Sequence, residues 1–184
     1  MGRVLTALLV VGLVAGFCSM SSAEETKLTP DNTKVTFVGT KTKPKAGKHN
    51  GGFKTVTGTA TWTGTDLTTL KLNVEIDMKS TYTDTDMLTN HLKTADFFDV
   101  ANNPKSTFES TKVEKSDAGY KVTGKLTLHG MTKEISFPAK IDVKDGSLTL
   151  ASDFKINRHD WGISYGKGMV DDDVSLTVAV GKKK

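Results

Sequence analysis

The chain has 184 residues, of which 36% are hydrophobic and 25% charged, with 25 basic side chains against 21 acidic ones. A formal charge of +4 is too mild to point to nucleic acid, and the basic clusters carry no interleaved aromatics. A single cysteine excludes an internal disulfide and a thiolate metal cluster.

In chain order, Arg3, the apolar run Val4 to Phe17 and the small residues Ser21, Ser22 and Ala23 read as an export signal over 1–23, cleaved before Glu24. The run is shorter than the ~20 apolar residues of a membrane span. The expected product is periplasmic or secreted, with no stable membrane insertion. Cys18 stands where a lipid could be attached, but Phe17 puts a bulky ring where a lipoprotein peptidase requires a small side chain. Residues 24–184 remain, enough for one domain with a hydrophobic core.

Period-two alternation dominates this domain and predicts strands near Lys34–Thr40, Phe53–Thr63, Leu70–Met78, Lys105–Lys115, Tyr120–Leu128, Ile135–Val143, Leu148–Ile156 and Val174–Val180. One wet and one dry face per strand is the pattern of antiparallel sheet. Asp145-Gly146 suits a two-residue type I′ hairpin. That turn pairs Val143 with Leu148, Ile141 with Leu150, Ala139 with Ser152, Phe137 with Phe154 and Ile135 with Ile156. A turn at Gly130-Met131 sets Leu126 against Ile135, Gly124 against Phe137 and Val122 against Ala139. Facing Trp62, Ala60, Gly58 and Val56 inward requires a bulge near Gly64.

Roughly eight antiparallel strands with short connections predict an all-β up-and-down barrel, which removes exposed edges and leaves room for side chains or one ligand. Small residues recur on the inner face at Gly58, Ala60, Gly124, Ala139 and Ser152, with Phe137 and Phe154 beside them. Ringed by aromatics, they suggest an apolar hollow. Neighbouring rings that fill the same space are the alternative.

Between the third and fourth strands the period changes. Met87, Leu88, His91, Leu92 and Ala95 share a helical face, with Asp84 or Thr85 as the N-cap, and Pro104 ends the insertion. Such a helix buries its stripe on an end or flank of the barrel.

Three stretches in this order, "HLKTADFFDVANNPKSTFES", "GKLTLHGMTKEISFPAKI" and "FKINRHDWGI", closely resemble the YceI-like family. The resemblance spans the mature chain from Thr33 to Val178. It implies an exported bacterial protein with an extended lipocalin-like barrel that binds polyisoprenoids and related long-chain lipids. The lysine-rich stretch Lys41 to His49 and the triple aspartate Asp171-Asp172-Asp173 depart from the family pattern and bear on the mouth.

Candidate wall residues are Leu72, Val74, Ile76, Leu126, Phe137 and Phe154, with Ala139 and Ser152 providing the space between them. Leu92, Phe97, Phe98 and Trp161 are candidates for a seal between insertion and barrel. Arg158 is placed to meet a phosphate or quinone oxygen, or to pair with Asp96, Asp99 or Asp160. His91 is a candidate head-group contact, although its place on the apolar face favours a hydrogen-bonded core histidine. His49, His129 and His159 fall on separate turns, so no metal site is expected. With no cysteine nucleophile, no Gly-x-Ser-x-Gly elbow and no cofactor motif, the expected function is non-enzymatic carriage or storage of a long apolar lipid. A surface module acting through the basic loop, with the barrel as scaffold, is the alternative. A homodimer is compatible with either.

Overall fold

The computed structural model describes residues 22–181. Cys18, nearly all of the expected export signal and Lys182 to Lys184 lie outside the described residues. Eleven antiparallel strands form one curled sheet. They are β1 (Ala23–Leu28), β2 (Thr33–Lys41), β3 (Gly47–Phe53), β4 (Val56–Thr63), β5 (Asp66–Asp77), β6 (Thr81–Thr83), β7 (Lys105–Ser116), β8 (Gly119–Leu128), β9 (Met131–Lys144), β10 (Ser147–Asn157) and β11 (Asp173–Val180). The one α-helix among the described residues, α1 (Asp86–Leu92), follows β6. The sheet order is β1-β4-β5-β7-β8-β9-β10-β11-β2-β3-β6.

The expectation of eight strands is therefore corrected to eleven. β1 was hidden because its sequence, AEETKL, lacks a hydrophobic run, and β3 because GKHNGGF reads as a turn. The remaining difference is a bend shared by two strands. β3 and β4 are one extended segment broken at Lys54-Thr55, and β5 and β6 are another, broken by a 3-10 turn at Met78–Ser80. Ser80 ties the two bends together, its carbonyl and Oγ accepting from the amides of Lys54 and Thr55. Beyond the bend β3 pairs with β2, while before it β4 and β5 pair with β1 and β7. β1 and β6 remain the edges of the ladder, so the wall curls around through covalent bends rather than through a closed hydrogen-bonded ring.

Turn chemistry sets the register. Asp145 and Gly146 both take positive φ, and Val143–Leu148 and Ile141–Leu150 pair as expected. The ladder then stops at Lys140–Ala151, and the three expected pairs beyond it do not form. Pro138 has no N–H to contribute and its carbonyl accepts from the Ser152 hydroxyl, so β9 leaves β10 there. In the preceding hairpin the central residues are His129 and Gly130, both at positive φ, instead of Gly130 and Met131. Val122 consequently faces Phe137, and Gly124 faces Ile135, a shift of two residues that leaves each side chain on its expected face. The expected bulge near Gly64 lies at Thr61–Thr63 and turns Trp62 inward.

The interior divides into two. One half is a packed core that includes Leu28, Ala60, Trp62, Leu72, Val122 and Leu150. The other half, at the end where β2, β6, β8 and β10 run out, gathers Phe37, Met78, Leu92, Phe97, Leu128, Trp161 and Ile163 in a second cluster.

Candidate functional site

The cavity lies in that second half. It has a volume of about 520 Å³ and opens between the β2–β3 connection, α1 and the β10–β11 connection. β2 supplies Phe37 to its wall, β3 supplies Phe53, β8 supplies Leu126 and Leu128, and β11 supplies Val174 and Leu176. Each points inward because strand side chains alternate between faces. Ile76 and Ile156 fill positions between these rows.

The insertion closes one side. Thr85 caps α1 by accepting from the Leu88 amide at 3.3 Å, one of the two caps expected. The helix ends at Leu92, so Ala95 falls outside it and is exposed. A compact turn follows, in which Phe98 donates its amide to the Leu92 carbonyl and Asp99 takes positive φ. That reversal delivers both phenylalanines to the cavity. Phe98 meets Phe37 edge-on at 6.2 Å and lies 6.1 Å from Phe53. Phe97 stands 5.1 Å from both His91 and Tyr165.

Polar atoms are few and mostly engaged. His91 Nε2 is 2.9 Å from an Asp96 carboxylate oxygen, and its ring meets Tyr165 edge-on at 4.9 Å. It is a half-buried residue of the mouth, not of the core. Arg158 borders the cavity but is only 4% exposed, and its donors serve backbone carbonyls. Its Nη1 donates to the carbonyls of Ile163 and Tyr165 at 2.8 Å, its Nε to Asp171 at 3.0 Å and its Nη2 to Val170 at 3.3 Å. Burial holds its pKa below the ordinary arginine value, opposed by Asp172 and Asp171. The carboxylate it pairs with is Asp172, at 3.7 Å, rather than Asp96, Asp99 or Asp160. The guanidinium thus fastens the 163–171 stretch that forms one lip of the cavity. Lys41, Lys43 and His49 also border the cavity, and Thr42 and Lys43 are bonded to Met169 of that lip, which places the lysine-rich departure at the mouth.

Of the residues singled out by sequence, Ile76, Leu92, Phe97, Phe98 and Leu126 line this space, as do His91 and Arg158. Leu72, Val74, Phe137, Ala139, Ser152, Phe154 and Trp161 do not. Phe137 and Phe154 stack face to face at 4.5 Å and plug the seam where β9 and β10 part. Ala139 and Ser152 are buried in the packed half, so the small residues mark close contact there, not a hollow. A Cβ on Gly124 would stand 2.5 Å from the Phe108 ring. Trp161 seals from behind, donating Nε1–H to the Leu126 carbonyl at 3.2 Å while its own carbonyl accepts from His129. Phe37, Phe53, Val174 and Leu176 were missed as a set. Their alternation was visible, but it could not say which end of each strand lined empty space.

A family model for the YceI-like domain matches residues 27–181. The chain belongs to the YceI-like family. Among YceI-like relatives, a UPF0312 protein of Serratia proteamaculans is 34% identical over 137 residues, 71% of each chain. Protein YceI of Salmonella arizonae is 33% identical over 136 residues, again 71% of each. The fold is similar to that of BcnA from Burkholderia cenocepacia, with a TM-score of 0.71 and 22% identity over 80% of this chain and 94% of that one. It is also similar to a polyisoprenoid-binding domain from Saccharophagus degradans, at TM-score 0.62 and 15% identity over 87% and 97% of the two chains.

Proposed function

We propose that this YceI-like protein binds a long apolar lipid, a polyisoprenoid or isoprenoid quinone, and carries or stores it in the periplasm without chemical change. The observation that carries this reading is the cavity itself: about 520 Å³ of space walled by Phe37, Phe53, Leu126, Val174 and Leu176, where the buried polar side chains Ser106 and Arg158 are already bonded to backbone carbonyls. Sites of this size and lining are typical for apolar ligands. The polyisoprenoid-binding neighbour supports the same ligand class.

If a carbon group occupies roughly the ~30 Å³ of a water in liquid, the space holds a tail of about three or four isoprene units. Each unit contributes about 3–4 kcal/mol at ~0.8 kcal/mol per buried carbon group. A longer chain would leave its remainder outside the mouth. A barrel serving only as scaffold for a basic loop would have no use for this hollow, so the carrier reading is preferred to the surface-module one.

Native mass spectrometry of protein purified from its own host tests the proposal. A co-purifying lipid is expected, displaced when Val174→Trp fills the space. The proposal falls if protein and variant both fly without lipid and neither takes up an added prenyl chain.

A further inference from the structure

The connections at the two ends of the sheet differ. The end away from the cavity turns at Gly64, Asp117-Ala118 and Asp145-Gly146, all small or polar. The end that carries the mouth holds every exposed large hydrophobic residue among those described: Met87 at 84% exposure, Met131 at 42%, Tyr165 at 44% and Met169 at 47%. They come from three separate connections: the start of α1, the β8–β9 turn and the β10–β11 loop. Three loops that independently set a bulky apolar side chain in water at one end mark an interaction surface.

Charge is distributed around them. Lys43 and Lys45 lie in the β2–β3 connection, flanked by Lys41 and Lys48, and all four are exposed. That connection is fixed to the loop bearing Lys167, since the amides of Thr42 and Lys43 both donate to the Met169 carbonyl. Three carboxylates of the same end face a basic side chain: Asp84 faces His49, Asp96 faces His91, and Asp172 faces His159 and Arg158. Asp86, Asp99, Asp160, Asp171 and Asp173 remain, at the start of α1, in the turn after it and along the β10–β11 connection to the start of β11. The attraction therefore comes from the lysine cluster of the β2–β3 connection rather than from the net charge of this end.

We propose that this end docks reversibly on an anionic phospholipid bilayer. Met87, Met131, Tyr165 and Met169 dip into the boundary between head groups and acyl chains while the lysines meet lipid phosphates. Apolar anchors combined with basic residues are what peripheral binding requires. The mouth lies among these residues, so a docked protein exchanges an apolar tail with the bilayer without passing it through water. This inference rests on the cavity being a lipid site.

The test is sedimentation of the mature protein with phosphatidylcholine vesicles and with vesicles in which phosphatidylglycerol makes up about a third of the lipid. In parallel, uptake of dansyl-farnesol is measured without vesicles. Binding to the anionic vesicles is expected to be roughly tenfold stronger. It should disappear near ~1 M salt, where screening length falls to about 3 Å. Lys45→Glu/Lys48→Glu/Lys167→Glu should remove the preference, and Met131→Asp should weaken binding to both vesicles roughly fivefold. None of these four residues lines the cavity, so dansyl-farnesol uptake should be unchanged in both variants. Equal binding to the two vesicle types, or a preference that survives the triple charge reversal, overturns the docking proposal. Failure to bind vesicles with normal dansyl-farnesol uptake also overturns it and leaves the cavity function standing. Failure of both sinks the two readings together.

Discussion

Arg158→Met would show how the cavity lip is held. Methionine preserves length and apolar contact but removes the donors that now serve the carbonyls of Ile163, Tyr165, Val170 and Asp171. The bond to Ile163 is fully buried, so that carbonyl loses its partner at a cost of about 1–3 kcal/mol. The other three are partly buried, and water recovers some of their loss, leaving roughly 1 kcal/mol or less each. The total is about 3 kcal/mol and at most ~6. For a domain of this size that corresponds to a fall in Tm of roughly 10 °C. Denaturant unfolding measures the energy, and amide exchange at Thr42 and Asp171 measures the lip, because these amides bond across it to Met169 and Thr40. Both should exchange faster than in the parent. Arg158→Lys should recover little, since one ammonium cannot span carbonyls arranged for a planar fork. A loss below ~1 kcal/mol with unchanged exchange would refute the view that this arginine staples the lip.

The two buried tryptophans should respond differently to phenylalanine. Trp161 Nε1 has a partner in the Leu126 carbonyl, whereas Trp62 Nε1 is buried with none. Trp161→Phe is expected to cost roughly 1 kcal/mol more than Trp62→Phe in urea unfolding, and the reverse order would discredit the bond. Gly51→Ala places a Cβ against the Phe37 ring and 2.8 Å from the Tyr82 carbonyl. A loss of about 1–3 kcal/mol is expected by calorimetry, together with weaker prenyl uptake as Phe37 is pushed into the cavity; neutrality would show that β3 tolerates bulk. Asp66 accepts from the Thr68 hydroxyl and amide, and these bonds hold its pKa below the usual aspartate value. A depressed folded-state pKa favours folding above the unfolded-state value, and that contribution is lost as pH falls through the folded one. Carbon NMR should find the Asp66 midpoint below the usual aspartate value, and Thr68→Ala should raise it; a midpoint that the substitution leaves in place would exclude the turn as the cause.

Much of the wall was legible because alternation over eight or more residues has few other solutions in water. Followed through the bends, the expected segments keep their neighbours, including β11 against β2. Asp145-Gly146 fixed its hairpin because both positions demand positive φ, while the preceding turn lies one residue earlier than expected because His129, like Asn and Asp, can take the left-handed conformation that glycine signals more plainly. β3 escaped because its glycines look like a turn. They are there so that the Phe37 ring and the Val35 and Tyr82 backbones can approach.

The site was legible on the insertion and much less so on the strands. Leu92, Phe97 and Phe98 stood out by breaking the period, and they do reach the cavity. Phe137 and Val174 follow the same inward pattern, yet one plugs a seam and the other faces open space.

The order of polar and apolar residues determined by itself that this chain makes an antiparallel wall with a dry inner face, because period-two burial is a local property of each strand. Which half of that interior stayed hollow was decided only in three dimensions. There the bends at Lys54-Thr55 and Met78–Ser80, the parting of β9 from β10 and the Arg158 staple set how far opposite walls stand apart. That distance depends on residues remote in the chain, so no single segment encodes it.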